Sequence, residues 1–232
     1  MGSIFMKITW LGQAGLLFDN GKTKIMIDPY LSNSVERVEP NNYRRIPVNE
    51  ELFKIEPDVM IFTHDHLDHY DPETAAVFLG ENRKPMTVLS PLSVWKKARA
   101  CGGRHNYVLF DSGVEWTEAA LQFRAVTAAH SDPYAIGVTV KDLEENKIYY
   151  ITGDTLYNAK ILDELPNSID IVFLPINGVG NNMNATDAAR FVKDCGARAA
   201  VPYHVGMFDE KTPEELQVEN RIILEIYKET EA

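Results

Sequence analysis

Short apolar runs broken by Gly, Pro, Asn and Asp recur along the chain, a pattern that predicts short strands interleaved with a few helices. Residues 8–18 and 24–27 read as two strands joined at Asp19-Asn20-Gly21-Lys22, where Asn-Gly supplies the positive φ of a tight hairpin. Gly12 and Gly15 interrupt the first run and mark a bulge or a close backbone approach. Val59-Met60-Ile61-Phe62 is apolar throughout, as a buried strand is. Asp71-Pro72-Glu73 carries the N-cap and first-turn signals of a short helix ending near Gly80. A strand at 86–90, a helix at 91–100 closed by Gly102-Gly103, and short strands at 107–110, 113–117, 121–126 and 136–140 follow. Further strands are expected at 147–152, 170–176 and 199–202, with helices at about 158–165 and from Asn184 through Cys195. Thr212-Pro213-Glu214-Glu215 opens a terminal helix that would pack Leu216, Ile223, Ile226 and Tyr227. Residues 32–50, polar and containing Pro40 and Pro47, show no period and read as a long loop. The alternation is that of a layered α/β protein.

Composition narrows this picture. A chain of 232 residues with 45% apolar residues is long enough for one α/β domain spanning residues 1–232, and it contains no run of the roughly 20 apolar residues that cross a bilayer. The first six residues hold one apolar pair, Ile4 and Phe5, with no basic leader or cleavage site, so no signal peptide is expected; Met6 is a second candidate start. A net charge of −11 excludes a broad nucleic-acid or anionic-membrane surface. The expected partner is a small molecule. One local basic pocket would suffice if it is anionic, and Tyr43, Arg44 and Arg45 in the 32–50 loop are the candidates. Cys101 and Cys195, each near a predicted helix end, suit buried free thiols in a reducing compartment, the cytoplasm. Nothing in the pattern demands a homo-oligomer, and nothing excludes one.

The chemistry concentrates in Thr63-His64-Asp65-His66-Leu67-Asp68-His69, directly behind the apolar run. Extended backbone sends alternate side chains to one side, so His64 and His66 can converge on one cation while Asp65 faces away. A turn after His66 would bring Asp68 and His69 onto a second, since imidazole nitrogen and carboxylate oxygen suit zinc, iron or manganese. His130, Asp154 and His204 also fall at or just beyond predicted strand ends, completing two sets of three ligands and one carboxylate that could bridge them. Asp28, after the second strand, is either a turn starter or an orienting partner for a metal-bound histidine. His105 has no acidic or cysteine neighbour and reads as structural; Asp132, next to Pro133, reads as a turn. Tyr134, Tyr157 and Asn177 are weaker pocket candidates.

In order and approximate spacing, Thr-His-x-His-x-Asp-His followed by His130, Asp154 and His204 resembles the metallo-β-lactamase superfamily over nearly the whole chain. Ile8-Thr9-Trp10-Leu11-Gly12-Gln13-Ala14-Gly15, Ile27-Asp28-Pro29-Tyr30, Leu174-Pro175-Ile176-Asn177-Gly178 and Pro202-Tyr203-His204-Val205-Gly206-Met207-Phe208 look like the branch containing L-ascorbate-6-phosphate lactonase and metal-dependent hydrolases. The resemblance implies a four-layer αββα sandwich with a dinuclear metal site. It would place His64, His66 and His130 on one ion, Asp68, His69 and His204 on the other, and Asp154 between them. It also implies hydrolysis of a lactone, ester or amide, with Asp68 orienting the attacking water and carrying its proton. Many relatives carry histidine where this chain has Gln13. The alternatives are a phosphodiesterase or nuclease of the same fold, a di-iron oxidoreductase, and a metal-binding protein without turnover. His66 argues against the oxidoreductase, whose relatives usually have glutamate there, and the charge argues against the nuclease.

Overall fold

The computed structural model describes residues 5–231. The expectation of no leader rests mainly on residues 1–4, which lie outside the described residues. The chain divides into two compact units, each built on one sheet. The first takes in the described residues up to Leu109, Met207–Asp209 and the chain from Leu224 onward; the second takes in Phe110–Gly206 and Glu210–Ile223.

In the first unit β1 (Lys7–Gly12), β2 (Gly15–Asp19) and β3 (Lys24–Ile27) run antiparallel in sequence order. From β3 the pairing turns parallel through β4 (Val59–Ile61), β5 (Thr87–Ser90) and β6 (Asn106–Leu109). The parallel stretch explains the unbroken apolar reading of β4. Val59, Met60 and Ile61 are all fully buried, each contributing roughly 1.5–3 kcal/mol relative to exposure. Three helices accompany the sheet: α1 (Ser34–Val38), α2 (Pro72–Phe78) and α3 (Leu92–Arg99). Asp71 caps α2 by accepting from the Glu73 and Thr74 amides, as its position before Pro72 predicts.

The second unit carries β7 (Glu115–Glu118), β8 (Leu121–Thr127), β9 (Ile136–Asp142), β10 (Lys147–Ile151), β11 (Ile169–Pro175) and β12 (Ala197–Tyr203), paired in that order. Strands β7 to β10 are antiparallel, and β10, β11 and β12 are parallel. Its helices are α4 (Ala159–Leu162) and α5 (Ala185–Cys195), the latter capped by Asn184 and closed by Gly196 at φ 67°. A last strand, β13 (Glu229–Glu231), pairs antiparallel with β1.

Four expectations are corrected. Residues 8–18 are not one strand but a hairpin: Gly12 (φ 89°) and Gln13 (φ 48°) turn the chain back, and the pairing shifts register between Trp10 and Gly12. Residues 32–50 are not wholly loop, since α1 lies within them and a 3₁₀ turn begins at Glu50, capped by Asn49. The terminal helix is absent. Thr212 and Glu215 form their capping box around only a 3₁₀ turn, Pro213–Glu215, and Leu216 is already extended. The chain then gives its backbone to strands: Ala200 bonds Asn220 and Ile222, and Tyr227 N–H donates to the Trp10 carbonyl at 2.8 Å. β-branched Val218, Ile222 and Ile223 favour this outcome, since their χ1 freedom is lost in a helix. The cysteines are half-buried rather than buried, and neither is in a disulfide. Among the described residues no helix is long and apolar enough to cross a membrane.

Candidate metal centre

Parallel pairing in the first unit puts the ends of β3 and β4 side by side, and their next residues supply the chemistry. Asp28 follows β3; Thr63 and His64 follow β4 and Phe62. Asp28 is fully buried at φ 43°. Its Oδ1 accepts the Thr63 amide at 2.8 Å, and its Oδ2 accepts the Thr63 hydroxyl at 2.5 Å and lies 2.8 Å from His69 Nδ1. A turn closed by the His69 and Tyr70 amides on the His66 carbonyl, at 3.0 and 2.8 Å, swings Asp68 and His69 back beside the strand end. The His64 ring lies 4.6 Å from that of His66 and 3.9 Å from that of His69, centroid to centroid. Asp68 Oδ2 stands 4.0 Å from His69 Nε2 and accepts the Gln13 side-chain amide at 2.9 Å. Asp65 pairs with Lys97 at 2.8 Å.

In the second unit, β8 and β10 point the same way because each is antiparallel to β9, and β11 and β12 run parallel to β10. All four therefore end on one edge of the sheet. His130, Asp154, Asn177 and His204 are the residues just past those ends. Asp154 Oδ1 lies 3.2 Å from His204 Nε2, and its Oδ2 lies 4.0 Å from His130 Nε2. Asn182 donates to Asp154 Oδ2 at 2.9 Å, and the His130 Nδ1 is 3.3 Å from the Asn181 carbonyl. Asn177 Nδ2 is 3.0 Å from His204 Nδ1, and its Oδ1 accepts the Val179 amide at 3.3 Å. His204 itself adopts φ 56°.

The sequence points to Asp28 and Asn177 without their partners, and marks no role for Thr63, Gln13, Asn181 or Asn182. The polar stretch Asn181 to Asn184 beyond a strand end was the available signal for the two asparagines; nothing marked Gln13 as reaching Asp68 across 55 positions. Arg44 engages three guanidinium nitrogens with the protein while lining the same cleft as Arg45. It donates to the Tyr30 and Ile46 carbonyls at 2.7 and 3.3 Å and to the Tyr227 hydroxyl at 3.2 Å, and lies over the Tyr30 ring. Arg45 lies 5.4 Å from the centre of the Tyr43 ring, in a cleft of about 630 Å³ that Leu31, Arg37 and Phe53 also line. Tyr157 donates to Asp194 at 2.8 Å, Tyr134 is exposed, and Asp132 Oδ1 closes a turn on the Tyr134 amide. His105 accepts the Met86 amide on Nδ1 at 3.3 Å, and burial lowers its pKa.

Residues 23–205 match the family model of the beta-lactamase superfamily domain. A UPF0173 protein of Pyrococcus furiosus is 28% identical over 215 residues, covering 92% of this chain and 90% of the relative. A UPF0173 metal-dependent hydrolase of Aeropyrum pernix is 24% identical, over 87% and 83% of the two chains. Among solved structures, a possible metal-dependent hydrolase from Veillonella parvula superposes with a TM-score of 0.76 at 15% identity, over 98% and 100% of the two chains, a likeness of fold. The chain belongs to the beta-lactamase superfamily, with the metallo-β-lactamase fold, and is one of its metal-dependent hydrolases.

Proposed function

We propose that this hydrolase acts on a lactone, ester or amide of a small molecule, a sugar-phosphate lactone being the first to try, as one functional domain. The donor set fits divalent metal. Imidazole and carboxylate suit zinc, manganese and iron, and two donors each about 2.0–2.2 Å from one ion stand at most about 4.4 Å apart, a limit the Asp68–His69 separation of 4.0 Å meets. His64, His66 and His130 would hold one ion, Asp68, His69 and His204 the other, and Asp154 both; the imidazole-rich set favours zinc. When bound, such ions act as Lewis acids and make water acidic enough to supply a nucleophile near neutral pH. Asp68 orients the attacking water and takes its proton on the carboxylate. Asp28 and Asn177 hold the His69 and His204 rings from the Nδ1 side, and Asn182 holds Asp154. Arg45 beside Tyr43 is the proposed contact for an anionic group. The reading keeps the small-molecule partner, a cytoplasmic setting and no nucleic-acid role; self-association is compatible with it.

The observation that carries the proposal is the Asp28–His69 contact. A fully buried carboxylate 2.8 Å from Nδ1 keeps the ring hydrogen on that nitrogen and turns the Nε2 lone pair outward, the orientation a metal-binding imidazole needs. The test is metal content of untagged protein by elemental mass spectrometry, alongside hydrolysis of sugar-phosphate lactones, simple γ-lactones and aryl esters. About two equivalents of metal with turnover of one of these supports the reading. Protein that neither holds metal nor takes it up overturns it, and iron with a redox-active spectrum would point to oxidoreductase chemistry.

A further inference from the structure

Gln13 occupies the turn between β1 and β2, is 3% exposed, and has φ 48°. The left-handed region is uncommon for any residue but glycine, with asparagine and aspartate the usual exceptions, so a glutamine there calls for a reason. Its backbone is pinned, because the Trp10 indole N–H donates to the Gln13 carbonyl at 2.8 Å. Gly12 beside it, at φ 89°, supplies the rest of the turn. The side chain then reaches Asp68, donating Nε2–H to Oδ2 at 2.9 Å. That oxygen is the one 4.0 Å from His69 Nε2.

We propose that Gln13 is a positioning residue that holds Asp68 at ligand distance from His69, so that the β1–β2 turn sets the metal affinity of this pair. The inference rests on the metal-dependent reading above. Two features favour an amide for the task. It donates a hydrogen bond that fixes the plane and rotamer of the carboxylate. It also carries no charge, so Asp68 keeps its full negative charge for a cation, whereas a lysine or arginine in its place would pair with the carboxylate and compete. The turn's left-handed backbone persists because the indole and the carboxylate each hold one end of the residue.

The test uses metal-free full-length protein titrated with Zn²⁺ against a chromophoric chelator, with circular dichroism confirming the fold of each variant. Gln13→Met keeps the length and removes the donor. It should weaken one of two Zn²⁺ equivalents by about 10- to 100-fold, the usual range for losing an orienting partner, and leave the other within about twofold. Gln13→His, which restores an N–H, should recover most of the loss. In an Asp68→Ala background, adding Gln13→Met should change the remaining affinity less than about twofold, because the group it positions is gone. Should Gln13→Met fail to fold, Gln13→Glu, which sets a carboxylate against Asp68, must show the same selective weakening. Unchanged affinity in the single variant, or an equal loss with and without Asp68, overturns the positioning role while the metal reading stands. Wild-type protein that takes up no Zn²⁺, Mn²⁺ or Fe²⁺ overturns both.

Discussion

The two sheets arrive at similar sets of candidate ligands by different routes. In the first, His64, His66, Asp68 and His69 come from one loop behind one strand, and the geometry is made locally by a turn on the His66 carbonyl. In the second, His130, Asp154 and His204 come from three strands, and only their common direction brings them to one edge. The partners of the rings differ in kind as well. His69 Nδ1 faces a buried carboxylate that also binds Thr63 twice, and His204 Nδ1 faces a neutral amide. A local cluster can therefore be held by one charged anchor, whereas a dispersed one depends on the sheet to keep its members aligned.

The largest effect should come from Asp154, which joins His130 and His204 within the second set. Asp154→Ala is expected to lower metal affinity by more than about 100-fold, beyond the range seen for orienting partners, and to abolish hydrolysis while the protein stays folded. Full metal loading and activity in that variant would remove the proposed bridge. Next come the ring partners. Hydrogen bonds to an ionised group are about twice as strong as neutral ones, so Asp28→Ala should weaken metal binding more than Asn177→Ala, both within about 10- to 100-fold. Chelator competition on the two variants decides this, and equal losses would dissolve the contrast between charged and neutral anchors. Asp28→Ala should also lower folding stability by about 1–3 kcal/mol in urea, because it strands the buried Thr63 amide.

Smaller effects probe the scaffold. Gly12→Ala places a methyl 2.5 Å from the end of Met207 at φ 89°, and should destabilise the first unit by about 1–2 kcal/mol. The methionine tip can swing aside, so the backbone supplies most of that penalty. His105 should give the weakest signal. Burial lowers its pKa, so as pH falls through about 6.5 the unfolded chain takes up the proton first, and its contribution to stability fades toward the lower folded value. His105→Gln should flatten the decline in melting temperature between pH 7 and 5, and an unchanged slope would mean that this ring is not its source.

How much of this was legible follows the same division. The loop candidates stand out because several ionisable donors crowded behind an apolar strand are costly to desolvate unless something binds them. His130, Asp154 and His204 became candidates only as a set, since each alone resembles an ordinary polar residue after a strand. Gln13 was invisible as a partner of Asp68, because its role depends on a reversal at Gly12 that two glycines in an apolar run do not distinguish from a bulge. The missing terminal helix failed for a related reason. Thr212 and Glu215 form their capping box as the pattern suggests, but a cap says where a helix can start and not whether it continues. The residues after it found backbone partners on strands, which no local signal reports.

That C-terminal stretch has a consequence for solubility. An open sheet edge is a template on which another chain can add a strand, and aggregation begins there. The bridge from Arg221 to Ala200 lies along β12, and β13 lies along β1. β13 is three residues long, two of them glutamates, with Glu229 paired to Lys7, so it shields its neighbour while offering little for a stranger to extend. Ending the chain after Leu216 would bare both edges, and the shortened protein should be recovered as aggregates even with every metal-ligand candidate intact.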